Sequence, residues 1–76
     1  MERKTVHNVV IETDGETNVL YTRAADPVAR AEEIVREAGL VADDIYVVPD
    51  EELQYHCIDG RLWDADARPA GEARHG

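Results

Sequence analysis

The stretch from Asp26 to Leu40, D-P-V-A-R-A-E-E-I-V-R-E-A-G-L, is marked for a helix at both ends, and it constrains the chain more than any other feature. Asp26 can accept the first free backbone N–H groups with its carboxylate. Pro27 suits the first helical position, where its missing N–H has no partner to lose. Gly39 can take the left-handed conformation that ends a helix. Val28, Ala31, Ile34, Val35 and Ala38 recur at three- and four-residue spacing and form one apolar stripe, while Arg30, Glu32, Glu33, Arg36 and Glu37 occupy the other side. Val35 and Leu40 stand where the two ends of a Schellman cap touch, and Glu32 and Arg36 make a favourably ordered pair four residues apart. A helix with a single apolar stripe must be laid against something.

In a chain of 76 residues that something is one small sheet, because a domain of this size buries only about 60% of the surface its unfolded form exposes. A single cysteine rules out an internal disulfide, and with Met1 to Thr5 lacking the apolar run of a signal peptide, the sequence reads as cytoplasmic. No apolar run is long enough to span a bilayer. The formal charge is -9, and from Ala65 onward Asp66 and Glu72 balance Arg68 and Arg74, so the excess lies in residues 1–64. An acidic surface repels phosphate backbones and anionic lipid, which disfavours nucleic acid and membranes as partners and favours basic proteins. Seven arginines against one lysine point to a high-GC or salt-adapted genome.

The remaining pattern predicts an α+β domain of order ββαβββ. Val6 to Glu12 reads as a strand with Val9 and Ile11 on one face and Val6, Asn8 and Val10 on the other. Asp14-Gly15 is a tight hairpin signal, and Asn18 to Arg23 forms the returning strand. Ile45 to Val48 is a continuous apolar run, as in a strand covered on both faces or an inner strand. Pro49 to Glu52 reads as a turn. Leu53 to Ile58 (L-Q-Y-H-C-I) alternates like a fourth strand, Asp59-Gly60 turns again, and Arg61 to Trp63 pairs back as the last. Residues 1–64 make the domain and 65–76, small and polar, a mobile C-terminal tail.

Candidate chemistry is sparse. His56 and Cys57 are neighbours on the predicted strand and point to opposite faces, so they neither share a metal ion nor form a nucleophile pair; His7 and His75 add no paired spacing. Cys57 is expected in the core. No phosphate loop or paired buried carboxylate is present, so the reading is of a protein that is not an enzyme, with no cofactor and no metal. Asp43, Asp44, Asp50, Glu51 and Glu52 flank the third strand and read either as solvated turn charges or as an acidic docking rim for a basic partner. Tyr46, Tyr55 and Trp63 read as core or rim aromatics, with Trp63 closing one end of the core.

The chain ends in Arg74-His75-Gly76, and a terminal glycine carboxylate has no side chain to obstruct its passage through a narrow channel. With the hairpin, the crossing helix, the returning strands and the segment E-I-V-R-E-A-G-L-V-A-D-D-I-Y-V-V (Glu33 to Val48), the sequence resembles the ubiquitin-like β-grasp family, in particular bacterial ubiquitin-like domains, from about Val6 to Trp63. That resemblance implies a protein modifier or carrier. Gly76 would be the conjugated residue, adenylated by a partner enzyme and passed to a target protein, with Arg74 and His75 beside it in the enzyme's channel, no catalytic residue in this chain, and an apolar recognition patch on an exposed sheet face. The family's usual tail ends in two glycines, whereas His75 stands at the first of those positions. The alternative is a stand-alone acidic interaction module, an inhibitor, adaptor or nucleic-acid mimic, that is never conjugated. Either class is compatible with a monomer or a weak homodimer through an exposed strand edge, such as the short last strand.

Overall fold

Two seven-residue strands, β1 (His7–Thr13) and β2 (Glu16–Thr22), form the hairpin at the centre of the molecule in the computed structural model, which describes residues 5–67. Thr13 pairs with Glu16, so the turn is the two residues Asp14 and Gly15, with φ of 44° and 84°. Positive φ at both positions gives the turn the twist of the flanking strands, and Asp-Gly is the pair that tolerates it. Helix α1 (Pro27–Glu37) follows, then β3 (Asp44–Val48), a single helical turn α2 (Asp50–Leu53), β4 (Gly60–Trp63) and a 3-10 turn at Ala65–Ala67.

The sheet is mixed, with strand order β3-β1-β2-β4. β3 runs antiparallel to β1, and β4 runs parallel to β2. β2, β3 and β4 therefore all point one way, and the chain makes two crossovers. α1 carries it from β2 to β3 over one face, and residues 49–59 return it to β4 over the other. Reversing both the lateral direction and the face leaves the hand unchanged, so the two crossovers share one hand, as twisted sheets require.

Helix α1 forms for the reasons its sequence declares. The Asp26 carboxylate accepts the Ala29 N–H at 3.1 Å, and Pro27 opens the helix. At the far end the Leu40 N–H reaches the Val35 carbonyl at 3.0 Å and the Gly39 N–H reaches Arg36 at 3.1 Å, with Gly39 at φ 74°. These are the two bonds of a Schellman cap. Ala31 and Val35 pack on Val9, Ile11 and Leu20, with Ile34, Ala42 and Ile45 at the margin.

The second sheet face is also covered. Val19, Tyr21 and Ala67 form a smaller core against Val6, Leu53, Ile58 and Trp63. This corrects three expectations. Leu53 to Ile58 is not a strand. Leu53 closes α2, and Gln54 to His56 turn, with the Tyr55 N–H on the Glu52 carbonyl (3.0 Å) and the His56 N–H on the Leu53 carbonyl (3.1 Å). Pro49 followed by Asp50, Glu51 and Glu52 suits a helix N-terminus, where carboxylates meet unpaired N–H groups. The segment is worth more lying flat, where Leu53 and Ile58 cover Val19 and Tyr21, than extended at an edge, where that face would stay bare. Cys57 consequently is exposed rather than in the core. The order is therefore ββαβαβ, and β4 joins β2 in parallel instead of turning back on a preceding strand. β3, for its part, is an edge strand and not an inner one, with Val47 43% exposed. The first residues assigned to the tail, Ala65–Ala67, are folded, with Ala67 buried; residues 68–76 lie outside the described residues.

Candidate functional site

With both faces covered, the sheet of the described residues ends at two edge strands, β3 and β4, and the residues along them differ. The residues on β4 are Gly60, Arg61, Leu62 and Trp63, set opposite Asn18, Val19, Leu20 and Tyr21. The Asp64 N–H donates to the Tyr21 carbonyl at 2.9 Å. In a parallel ladder this alternation turns the backbone groups of Gly60 and Leu62 toward β2 and those of Arg61 and Trp63 away from it. Carried across β2 and β1, the same alternation turns Ile45 and Val47 outward on β3.

Leu62 is 46% exposed and lies on the helix-covered face. There it borders two adjoining hollows together with Ile34. One, of about 570 Å³, lies between α1 and β4 and is floored by Leu20. The other, of about 240 Å³, runs under the C-terminal end of α1 between Ile11, Ala38 and Leu40. Leu40 (56% exposed) and Val41 (84%) extend the apolar surface around the helix end. On the opposite face Trp63 stacks on Tyr21 with ring centroids 4.1 Å apart, and the Arg61 guanidinium donates to the Tyr21 hydroxyl.

Asp64 locks this edge to the rest of the fold. Its carboxylate accepts the Thr22 hydroxyl at 2.7 Å, the Arg30 Nε at 2.9 Å and Nη2 at 3.0 Å, and the Ala65 N–H at 3.1 Å. These bonds, the Arg30 guanidinium foremost, hold its pKa down to about 2. The same pair and the Glu33 carboxylate at 2.5 Å raise the Arg30 pKa. The Asp64 charge is thus neutralised within the fold.

The five carboxylates flank the third strand as expected, in two separate groups. Asp43 and Asp44 stand at one end of β3, and Asp50, Glu51 and Glu52 in α2 beyond the other, roughly 17 Å away at about 3.4 Å per strand residue. Asp43 clamps the hairpin turn, its Oδ2 accepting the Asp14 N–H at 3.0 Å. Asp50 accepts the amide of buried Asn8 at 2.5 Å, and that amide also reaches the Val48 carbonyl. Asp44, Glu51 and Glu52 are exposed. Glu12 joins the first group and accepts the Tyr46 hydroxyl at 2.8 Å, which raises the Tyr46 pKa.

Arg74, His75 and Gly76 lie outside the described residues. His56 lies 6.1 Å from Tyr46, ring centroid to ring centroid, and among the described residues no group of three His, Cys, Asp or Glu side chains is placed to hold a metal ion. No described helix is long and apolar enough to cross a membrane. The sequence already offered the short last strand, Arg61 to Trp63, as an edge through which a weak homodimer could form; what it did not offer was the apolar hollow beside Leu62 or the Arg30–Asp64 pair.

Fold and edge together define, among the described residues, a small α+β domain with a mixed four-stranded sheet covered on both faces and with no further strand paired along β4. No protein-family model, no curated protein and no solved structure matches the chain.

Proposed function

We propose that this domain is a protein-interaction module that binds by accepting a strand along β4, with an apolar side chain of the partner seated beside Leu62 and Ile34. The observation that supports it is the contrast in the outward side of β4: backbone groups of Arg61 and Trp63 facing away from the sheet, a half-exposed Leu62 next to an apolar hollow, and an adjacent carboxylate, Asp64, already paired with Arg30. Strand addition draws its affinity from such main-chain groups and its selectivity from the pockets beside them. In this reading the acidic groups at the ends of β3 shield the second edge instead of forming the docking surface. A photoreactive residue placed at position 62, and separately at position 47 on β3, tests it in cells of the native host. Adducts from position 62 and none from position 47 are expected; a chain giving no adduct at position 62 is not a β4-edge module.

A second reading, a modifier activated at Gly76, draws support from the order hairpin, crossing helix, returning strand, which is shared with the ubiquitin-like resemblance. The strand expected over Leu53 to Ile58 no longer contributes to it, and the reading rests otherwise on the terminal glycine. Comparing the intact mass of adducts recovered with the full chain and with a chain lacking Gly76 decides it: glycine-dependent adducts are required.

A further inference from the structure

We infer that the strand accepted by β4 is β4 of a second copy of this chain, paired antiparallel about a two-fold axis that passes between the two Leu62 residues. This rests on the reading of β4 as the interaction edge and names its occupant. In an antiparallel pair, directly opposed residues share a face, and since Gly60 on Gly60 would set Arg61 against Asp59, whose N–H is already given to Thr17, three symmetric registers remain for so short a strand: Arg61 on Arg61, Leu62 on Leu62, or Trp63 on Trp63. The first sets two guanidiniums directly across from each other, and its next outward pair would need the Asp59 N–H, which is already given to Thr17 at 2.7 Å. The third carries Arg61 past the strand end to Ala65, in the 3-10 turn. Only the Leu62 register opposes the two outward-facing residues to one another, Arg61 of each copy to Trp63 of the other. Both pairs are then of the hydrogen-bonded kind, and four main-chain bonds form with no outward group of the strand left over.

The side chains agree with that register. Leu62 meets Leu62 at the close, non-hydrogen-bonded position on the face where Ile34 and the hollows lie. On the other face the Arg61 guanidinium comes beside the Trp63 ring of the second copy, next to the Tyr21 stack, a favourable cation–aromatic arrangement. The Arg30–Asp64 pair keeps its charge within each copy. A corresponding β3 joint centred on Tyr46 would instead bring Asp43 and Asp44 of one copy toward Asp50, Glu51 and Glu52 of the other, with no cation among them. The assembly consequently closes at two copies: one eight-stranded sheet, its outer ends the two acid-flanked β3 edges.

The experiment is oxidative cross-linking of the full chain in a Cys57→Ser background, comparing Leu62→Cys with Tyr46→Cys, beside sedimentation of the parent chain from micromolar to millimolar concentration in low and high salt. Non-hydrogen-bonded partners have Cα atoms about 4.5 Å apart, inside the span of a disulfide. A covalent dimer from Leu62→Cys, none from Tyr46→Cys, and a parent dimer whose dissociation constant rises at least about tenfold in Leu62→Asp support the inference. A parent monomeric throughout, or a dimer that links through Tyr46→Cys, overturns it. If the parent is monomeric but the photoreactive residue at position 62 captures a different protein, β4 remains the interaction edge and only its occupant is wrong; no capture of any kind removes both.

Discussion

The two edges of this sheet are built from strands of similar length and opposite chemistry. β3 offers outward-facing Ile45 and Val47 but is bounded by Asp43 and Asp44 at one end and Asp50, Glu51 and Glu52 at the other, whereas β4 carries Arg61 within it and has one carboxylate at each end, Asp59 on the Thr17 N–H and Asp64 neutralised by Arg30. Unpaired edges invite association, and charge at the edge is one of the ways a chain prevents it. The comparison teaches that in a chain of charge -9 the informative feature is where negative charge has been cancelled, not where it accumulates. Around β3 the carboxylates are turned to solvent, to backbone N–H groups or to the Asn8 side-chain amide; at the ends of β4, Asp59 accepts the Thr17 N–H and Asp64 is consumed by a bidentate guanidinium and a hydroxyl.

The largest effect on this contrast should come from the Asp64 lock. Asp64→Ala leaves the Thr22 hydroxyl without its acceptor and the Arg30 guanidinium with Glu33 alone, and we expect a loss of about 2 kcal/mol, reduced from the value for a fully buried pair because Arg30 remains a third exposed. Denaturant melts measure the loss, and hydrogen exchange should accelerate at the β4 amides facing β2 while those of β1 paired to β3 hold. Acid should reach the same state. The folded pKa of Asp64, about 2, lies below its unfolded value near 4, so its contribution is complete above about pH 4 and disappears as the pH falls from there through 2. Asp64→Ala should flatten the acid limb of the stability profile over that window.

A smaller effect on stability, but a sharper test of the comparison, comes from recharging β3. Asp44→Lys, Glu51→Lys and Glu52→Lys together remove the exposed carboxylates that make no long-range side-chain bond, leaving Asp43 on the hairpin turn and Asp50 on Asn8. Removing the acids from the first turn of α2 costs about 0.5–1 kcal/mol. If the charges are what keep β3 from pairing, this triple variant should sediment as species larger than the parent, because a second open edge allows assembly to continue. A variant that keeps the parent's size would mean that the shape of β3, and not its charge, protects it. High salt should act on the parent in the same direction, though weakly, by screening repulsion between copies.

Much of the fold was legible because local signals and global needs coincide there. The helix boundaries, the hairpin turn at Asp14-Gly15 and the facing of Val9 and Ile11 against Asn8 and Val10 are each dictated within a few residues, by a cap, a dihedral or a two-residue period. What was not legible depended on the second sheet face. Val9-Val10-Ile11 and Val19-Leu20-Tyr21 are consecutive apolar residues, and consecutive burial on a strand means cover on both sides. That pattern was present, but it requires a cover from elsewhere in the chain, and the alternation of L-Q-Y-H-C-I matched a strand well enough to hide one. The apolar run at Ile45 to Val48 misled in the converse way: a run of four is satisfied at an edge when α1 packs against it on one side and Glu12 takes the Tyr46 hydroxyl on the other. The last strand was legible as an exposed edge, but its surroundings at β4 were not. Its character depends on Arg30 reaching Asp64 across 34 positions, a pairing that no local spacing announces.

The smallest expected effect concerns Cys57, on the crossover that joins the two edges. A core cysteine replaced by serine buries a hydroxyl in apolar surroundings and costs roughly 1–3 kcal/mol, while an exposed one costs within about 0.5 kcal/mol. Cys57 is exposed and stands between two residues of the crossover that are only partly buried, His56 and Ile58. Cys57→Ser should therefore leave the denaturation midpoint unchanged, whereas Ile58→Ala, one residue on, should lower stability by about 1–2 kcal/mol because Ile58 covers Val19 and Tyr21. The neighbouring pair makes the experiment decisive about the path between the edges. In an alternating strand with Cys57 on the inward side, Ile58 would face solvent and the order of the two effects would be reversed. In the crossover the apolar anchor is Ile58, and it holds β4 in register by fixing the residues that lead into Gly60.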